Sequence, residues 1–220
     1  LPQELGCGCG MTCWRRLHAW QVQGVWQTIH ETLLARLNEA GHIDWSRAVV
    51  DSASVRAVFG GTNGAKPTDR RKAGSKHHVL TDAQGVPLSA IVTGANAHDV
   101  TQLLPLVDAI PPVRGRRGPP RSRPSRVQGD RAYHSEGHRR ALRKRGIPPE
   151  LARRGAPHGS GLGKTRWVIE RTLSWLHQYR RLRVRYGIVG EPSTTKKRSE
   201  ESPSLLRIAA ADSGDEATST

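Results

Sequence analysis

Cysteine is nearly missing from this chain, and its placement excludes more than it suggests. The three cysteines, Cys7, Cys9 and Cys13, all fall within the first thirteen residues. An odd number, with no leader peptide, is not the framework of a secreted disulfide-stapled domain, and a reducing cytoplasm fits better. Their spacing is not that of the paired cysteines of a structural zinc site, and no second pair follows. Long apolar runs are missing too: nothing approaches the roughly 20 residues that a membrane-crossing helix needs. Acidic residues are scarce, 19 Asp and Glu against 35 Lys and Arg, for a formal net charge of +16. A surplus of that size suits a polyanionic partner better than a neutral metabolite, and nucleic acid is the leading candidate. Of the basic residues 28 are Arg and 7 are Lys, which favours bidentate phosphate contacts but follows equally from a GC-rich genome.

What is present suffices for one sizeable domain with its own core and a small helical appendage, since the chain has 220 residues. Residues 1–11 begin at Leu1, are rich in Gly and Cys, and read as a linker cut from something longer. From Thr12, a potential N-cap, the apolar residues Trp14, Leu17 and Trp20, then Val25, Trp26, Ile29, Leu33, Leu34 and Leu37, recur at helical spacing, with Gly24 interrupting them. This predicts two short helices joined by a turn, either a helix-turn-helix that reads DNA or a packing face.

A β-branched run over 48–55 predicts a strand that contains Asp51. After a Gly- and Lys/Arg-containing loop over 60–75, strands over 76–82 and 86–93 flank Asp82-Ala83-Gln84-Gly85, a hairpin signal. Val100, Leu103, Leu104 and Val107 predict a helix over 98–110 that covers the hairpin and ends at Pro111-Pro112. Residues 111–126 hold five Pro and six Arg. That composition predicts an extended basic loop, either a solvated linker or an arm tracking a DNA backbone. A short strand ends at Asp130, and Ser135 caps a basic helix reaching Arg145. Beyond a Gly-rich stretch, the longest helix is expected over 165–186. Residues 187–220 hold none of the ten aromatics and carry four basic against six acidic residues, a composition that resembles disorder.

Three carboxylates are the candidates for chemistry. Phosphodiester cleavage by two metal ions needs acids brought together from separate elements, so that ions about 4 Å apart hold the attacking and leaving oxygens in line. Asp51 and Asp130 end or interrupt hydrophobic strands, a costly place for an unpaired charge unless a metal or the surface compensates. In the last helix Arg166, Glu170 and His177 stand at offsets of zero, four and eleven, which returns them to one face. The opposite side offers Ile169, Leu173 and Leu176, with the bodies of Trp167 and Trp175, for packing. An Arg166-to-Glu170 ion pair within the helix is the bland alternative to metal binding.

Several long phrases in one order give the chain a resemblance to bacterial insertion-sequence transposases of the DDE class. They are Ile43-Asp44-Trp45-Ser46-Arg47-Ala48-Val49-Val50-Asp51, then Gly74-Ser75-Lys76-His77-His78 with Thr93-Gly94-Ala95-Asn96-Ala97-His98-Asp99, and Arg166-Trp167-Val168-Ile169-Glu170-Arg171-Thr172-Leu173-Ser174-Trp175-Leu176. The resemblance implies an α/β RNase H-like mixed sheet flanked by helices, from strands near 48–56, 76–82, 86–93 and 126–130. It divides the chain into an N-terminal linker and helical region (1–43), a catalytic domain (44–186) and a polar tail (187–220). It implies Asp51, Asp130 and Glu170 as catalytic residues and ligands of two Mg²⁺ ions, with Mn²⁺ as a substitute. The reaction would be cleavage at transposon ends followed by strand transfer into target DNA. Lys76, Tyr133, Arg166, Arg171 and His177 become the expected DNA contacts; the partners would be DNA and further copies of the chain, without a membrane, in the cytoplasm at the nucleoid. Departures from the family pattern lie at Ala132 and His134 near the second acid, and at Gly163 and His177 around the third. Relatives continue beyond Tyr186 into an apolar helix, so a frameshift near Gly187 is expected. The alternatives are an inactive remnant, a DNA-binding protein without chemistry, and a nuclease that cuts without joining.

Overall fold

The computed structural model describes residues 6, 9–57, 74–153, 155 and 163–185. Most of the loop expected over 60–75, most of the Gly-rich stretch before 163, and the tail expected over 187–220 lie outside the described residues.

Two helices come first, α1 (Gly10–Val22) and α2 (Val25–Glu39). Gly24 between them takes φ 72°, which permits the tight left-handed turn. The N-cap of α1 is Cys9 rather than Thr12, whose hydroxyl lies inside the first turn, 3.3 Å from Cys9 Sγ. Of the expected stripe, Leu34 enters the core and Leu37 packs at its edge, whereas Trp14, Trp20, Ile29 and Leu33 stay largely exposed.

A mixed sheet forms the body. β1 (Ala48–Ala57), β2 (Gly74–Asp82) and β3 (Pro87–Gly94) run antiparallel to their neighbours, and β4 (Val127–Gly129) and β5 (Pro149–Leu151) add in parallel, for the order β3-β2-β1-β4-β5. Together with the helices this is the α/β RNase H-like arrangement. The β2–β3 turn is built on Asp82, whose Oδ1 accepts from the amides of Gln84, Gly85 and Val86 and whose Oδ2 accepts from that of Asp44. A 3-10 turn over Asp99–Gln102 leads into α3 (Leu103–Asp108), splitting the helix expected over 98–110. A second 3-10 turn, Arg131–Tyr133, follows β4, and α4 (Glu136–Lys144) starts with Ser135 accepting from the His138 amide, as the capping pattern predicts.

Side-chain alternation along β1 separates two packed layers. Ala48 and Val50 join Leu80, Leu88, Leu103, Leu106, Val127 and Leu142 in the larger core beneath α2, α3 and α4. Val49 points the other way, with Val79, Ala90, Ile169 and Leu173, under α5 (Gly163–Leu176).

Three expectations need correction. The last helix stops at Leu176 instead of running to 186; a short α6 (Arg180–Arg183) follows, and β6 (Val184–Arg185) pairs in parallel with Arg56 and Ala57 of β1. The Arg-rich segment is no free arm: Val113 and Arg121 form a β-bridge, Val113 is buried in the core, and Arg116 Nε donates to the Asn38 carbonyl at 2.9 Å. Trp167 and Trp175 do not pack against the sheet and are 51% and 55% exposed. The buried stripe of α5 is narrow, Val168, Ile169, Thr172 and Leu173, and the indoles fall beside it.

Candidate active site

Each of the three acids arrives on a different element. Asp51 lies two residues after Val49 on β1, so it projects from the α5 side of the sheet. The parallel register of β1 and β4, Ala48 with Val127 and Val49 with Gln128, counts forward to place Asp130 alongside Asp51. This close approach requires a residue without a side chain at 129: a Cβ on Gly129 would stand 2.9 Å from Val50 Cγ1 and 3.0 Å from Leu151 Cδ2. Asp130 then begins the 3-10 turn and accepts from the Ala132 amide at 2.9 Å.

Glu170 depends on how α5 is laid across the sheet. Near its start, Thr165 Oγ1 reaches Gln128 Oε1 at 3.1 Å, tying the helix to β4. Farther along, Thr172 Oγ1 donates to the Gly85 carbonyl at 2.9 Å and Arg171 Nη2 to the Gln84 carbonyl, tying it to the β2–β3 turn. Ile169 and Leu173 fill the space between, leaving Glu170 exposed and near enough for its charge to be felt at Asp51.

The electrostatics of Asp51 reflect that convergence. Burial pushes its carboxyl above the ordinary aspartate value; the Ser52 amide and the Arg166 guanidinium pull it down, while the negative charges of Asp130 and Glu170 push it further up. Arg166 Nη2 lies 3.2 Å from Asp51 Oδ2, and both side chains are 19% exposed. The partner of Arg166 is thus an acid 115 positions away along the chain, not Glu170 one helical turn on. Its Nε is buried without a hydrogen-bond partner, so this guanidinium holds a donor in reserve.

The remaining expected residues divide between the two faces of the sheet. His177 shares the α5 face: its ring centroid lies 6.2 Å from that of His77, which pairs with Ala53 on the same side as Asp51. Burial and then the charge of Arg183 hold His177 below the ordinary histidine value, and its Nε2 is buried without a partner. Arg171 is clasped between Trp167 and Trp175, 4.8 Å from each ring centroid. Lys76 faces the opposite side, where its Nζ meets Asp99 Oδ1 at 3.0 Å and the Ala97 carbonyl at 2.9 Å. Tyr133 is fully buried. Of these last two side chains, Lys76 ends in an ion pair and Tyr133 in the interior.

Sequence reasoning missed the cluster that they join. Ser52 Oγ donates to Asp99 Oδ1 at 2.7 Å, and His78, wholly buried, has Nδ1 3.8 Å from the same oxygen. Burial first, then Asp99 and Asp51, hold the Tyr133 phenol well above its ordinary value. The nearby Ser52 hydroxyl, which donates to Asp99, opposes that shift as a hydrogen-bond partner of the phenol. The cluster packs the Asp99 turn against the turn that starts at Asp130. Its signal was a phrase already singled out, Ala97-His98-Asp99, whose acid went unweighed.

Three carboxylates form an all-oxygen donor set, the chemistry that hard divalent cations prefer. Among the described residues, however, no group of three His, Cys, Asp or Glu side chains is drawn closely enough together to hold an ion. Cys9 and Cys13 are not joined in a disulfide, and Cys7 lies outside the described residues. No helix among those described is long and apolar enough to cross a membrane.

A mixed sheet of this order, with one acid inside its central strand, another just past the adjoining parallel strand and a third on the helix laid over them, is the arrangement of an RNase H-like domain. The family model described as "Transposase DDE domain" matches residues 44–187, and the chain belongs to that family. It is 66% identical over 123 residues to the "Putative transposase for insertion sequence element IS402" of Burkholderia cepacia, covering 56% of this chain and 58% of that protein. It is 62% identical over 61 residues to the "Insertion element IS402 uncharacterized 16.2 kDa protein" of the same organism, covering 28% of this chain and 42% of the other. To the "Transposase for insertion sequence element IS1106" of Neisseria meningitidis serogroup B it is 27% identical over 159 residues, 64% of this chain and 51% of that one. The chain therefore spans about half the length of the curated relatives it matches.

Proposed function

We propose that the chain is the catalytic part of a transposase that cuts DNA at the ends of its element and joins the freed 3′-hydroxyl to target DNA. The catalytic unit is residues 44–186, preceded by the helical region 1–43 and followed by the tail 187–220. The observation that supports this reading is that the charges of Asp130, just after β4, and Glu170, on α5, are both felt at Asp51 on β1. Those three residues are the ligands we assign to Mg²⁺, with Mn²⁺ as a substitute. The donor type fits, and closing the acids around the ions is the change that loading requires. Bound ions would supply an activated oxygen nucleophile and neutralise charge on the leaving oxygen.

The protein's own residues do the rest. Arg166 holds Asp51 through one nitrogen and keeps Nε for a phosphate oxygen, so a single guanidinium can register the backbone against the acid. His177 and Arg171 are further contacts on the same helix, while Lys76 and Tyr133 steady the turns from beneath. Association with DNA, a multimer that engages two ends, and residence in the cytoplasm at the nucleoid belong to the same proposal; affinity would fall steeply with salt.

The test is cleavage and joining of a labelled duplex carrying the element's own end, with and without Mg²⁺, by the wild type, Asp130→Asn and Glu170→Gln. Both variants should lose cleavage by at least about 100-fold, the scale of several kcal/mol of charge stabilisation, yet still bind the duplex. Unchanged cleavage in both would refute the assignment of these acids, and a wild type that binds the duplex without cutting it would leave a DNA-binding protein without chemistry. Cleavage without joining of a pre-cut 3′-hydroxyl end would reduce the reading to a nuclease.

A further inference from the structure

We propose that Trp167, Arg171 and Trp175 form a stacking ladder for unpaired bases of the DNA strand that approaches the three acids. The inference rests on the DNA-cutting reading above and deepens it, because it names the form of the substrate that this flank of α5 receives.

Successive members of the ladder are four residues apart, so they make a stripe along one side of α5. Arg171 sits between the indoles, 4.8 Å from each centroid, and donates to the Gln84 carbonyl. It is thereby fixed to the scaffold, and it fixes both rings. A cation–aromatic clamp explains one face of each indole. It leaves unexplained why about half of each ring, 51% of Trp167 and 55% of Trp175, stays in water. Rigid, half-open aromatic faces are what an unstacked nucleobase requires.

Place and charge both point to a nucleic-acid occupant. Trp167 comes three residues before Glu170 and Arg171 one after it, so the stripe borders the face that carries the acid. In residues 163–185 Glu170 is the single acidic residue against seven basic ones. The exposed Arg183 lies beyond the ladder, and Tyr179, 69% exposed, stands four residues past Trp175. The indoles are separated by a guanidinium and bordered by Ser174 and Gln178, so they present no continuous apolar patch for a protein partner. Alternating π-faces and cations suit a chain of bases and phosphates. Within a duplex the base faces are already stacked, so the ladder acts on bases that are unpaired, at a frayed or already cut end.

The experiment measures binding of the full chain by fluorescence anisotropy, using a labelled blunt duplex and the same duplex with an overhang of about 6 nucleotides. The wild type should bind the overhang form more tightly. The double variant Trp167→Ala/Trp175→Ala should bind the blunt duplex as the wild type does and lose the overhang advantage, roughly 5- to 100-fold. Trp167→Phe/Trp175→Phe should keep most of it. A thermal melt establishes that the alanine variant is folded, and the single Trp175→Ala variant takes its place if it is not. The idea is overturned if the wild type shows no overhang advantage, if blunt and overhang affinities fall together, or if the variants lose only self-association in light scattering. Failure to bind the blunt duplex at all would strike the DNA reading itself, a result distinct from these.

Discussion

Replacing Gly85 with alanine tests whether the β2–β3 turn sets the position of Glu170. Gly85 has φ 101°, a conformation that costs an ordinary L-residue about 1–3 kcal/mol. A Cβ there would also stand 2.8 Å from Thr172 Oγ1 and 3.1 Å from both Arg171 Nη2 and Val168 Cγ1. Those atoms belong to α5, so relief requires the helix to lift from the turn, at about 1–3 kcal/mol for overpacking and about 1 kcal/mol if the Thr172-to-Gly85 hydrogen bond is lost. The expected total is about 2–7 kcal/mol. Gly24→Ala is the control: φ there is 72°, and a Cβ would meet nothing within 4 Å. It should cost only the backbone part, about 1–2 kcal/mol. Urea unfolding followed by tryptophan fluorescence gives both numbers, and the difference between them isolates the docking of α5. A DNA-cleavage assay under folding conditions then reads the displacement of Glu170, and Gly85→Ala should lose more activity than its unfolded fraction explains. Equal destabilisation by the two substitutions would refute the argument.

Two further outcomes follow from buried titratable groups. Burial holds His78 down to about 4, with the Asp99 charge opposing the shift and Lys76 adding to it. Between that value and the ordinary 6.5 the unfolded chain binds more protons, so stability is lost as pH falls through this window, by about 3 kcal/mol in all. Urea midpoints measured down the window should drop in the wild type and flatten in His78→Gln; parallel slopes would assign the loss to other groups. Asp51 has the opposite sign: its carboxyl is raised by burial and by its acidic neighbours, so the folded state holds the proton longer and stability falls as pH rises above the ordinary carboxylate value. Asp51→Asn should therefore abolish cleavage yet raise the neutral-pH melting temperature. That gain should vanish in acid; a lower neutral-pH melting temperature would mean that the Arg166 pair outweighs the repulsion.

The legible parts of the fold were those governed by neighbours in sequence. β1 followed from its β-branched run, the hairpin from Asp82-Ala83-Gln84-Gly85, the break at Gly24 from glycine, and α4 from its Ser135 cap. What escaped was settled by distant partners. β5 has three residues, too few for a period, and exists because β4 offers an open edge. No Pro or Gly marks the end of α5 at Leu176; the chain turns there to bring Val184 and Arg185 beside β1. Composition alone made the segment over 111–126 look like a loose arm, since the hydrogen bond from Arg116 to the Asn38 carbonyl and the burial of Val113 leave no local trace. The acids divide in the same way: Asp51 stood out as a charge in a strand, whereas its partnership with Asp130 and Glu170 came from family phrases, because periodicity carries no information about the register of separate strands.

The site also shows why its supports are so much more buried than its chemistry. Asp130 and Glu170 both repel Asp51, and the local compensation is small: Arg166 on one oxygen of Asp51, the Ser52 amide on the other, and the Ala132 amide on Asp130. Such a group persists only if the surrounding structure fixes it. Here β1 is locked by nine residue pairs with β2, Gly129 lets β4 close on Val50, and α5 is tied to β4 at one end and to the Asp82 turn at the other. Most of these supports are neutral groups or, like Asp82, fully hydrogen-bonded ones, so the strain stays where ions and phosphate would relieve it. Changes in the supports should therefore register first as loss of stability, and changes at the acids as loss of activity with stability held or gained.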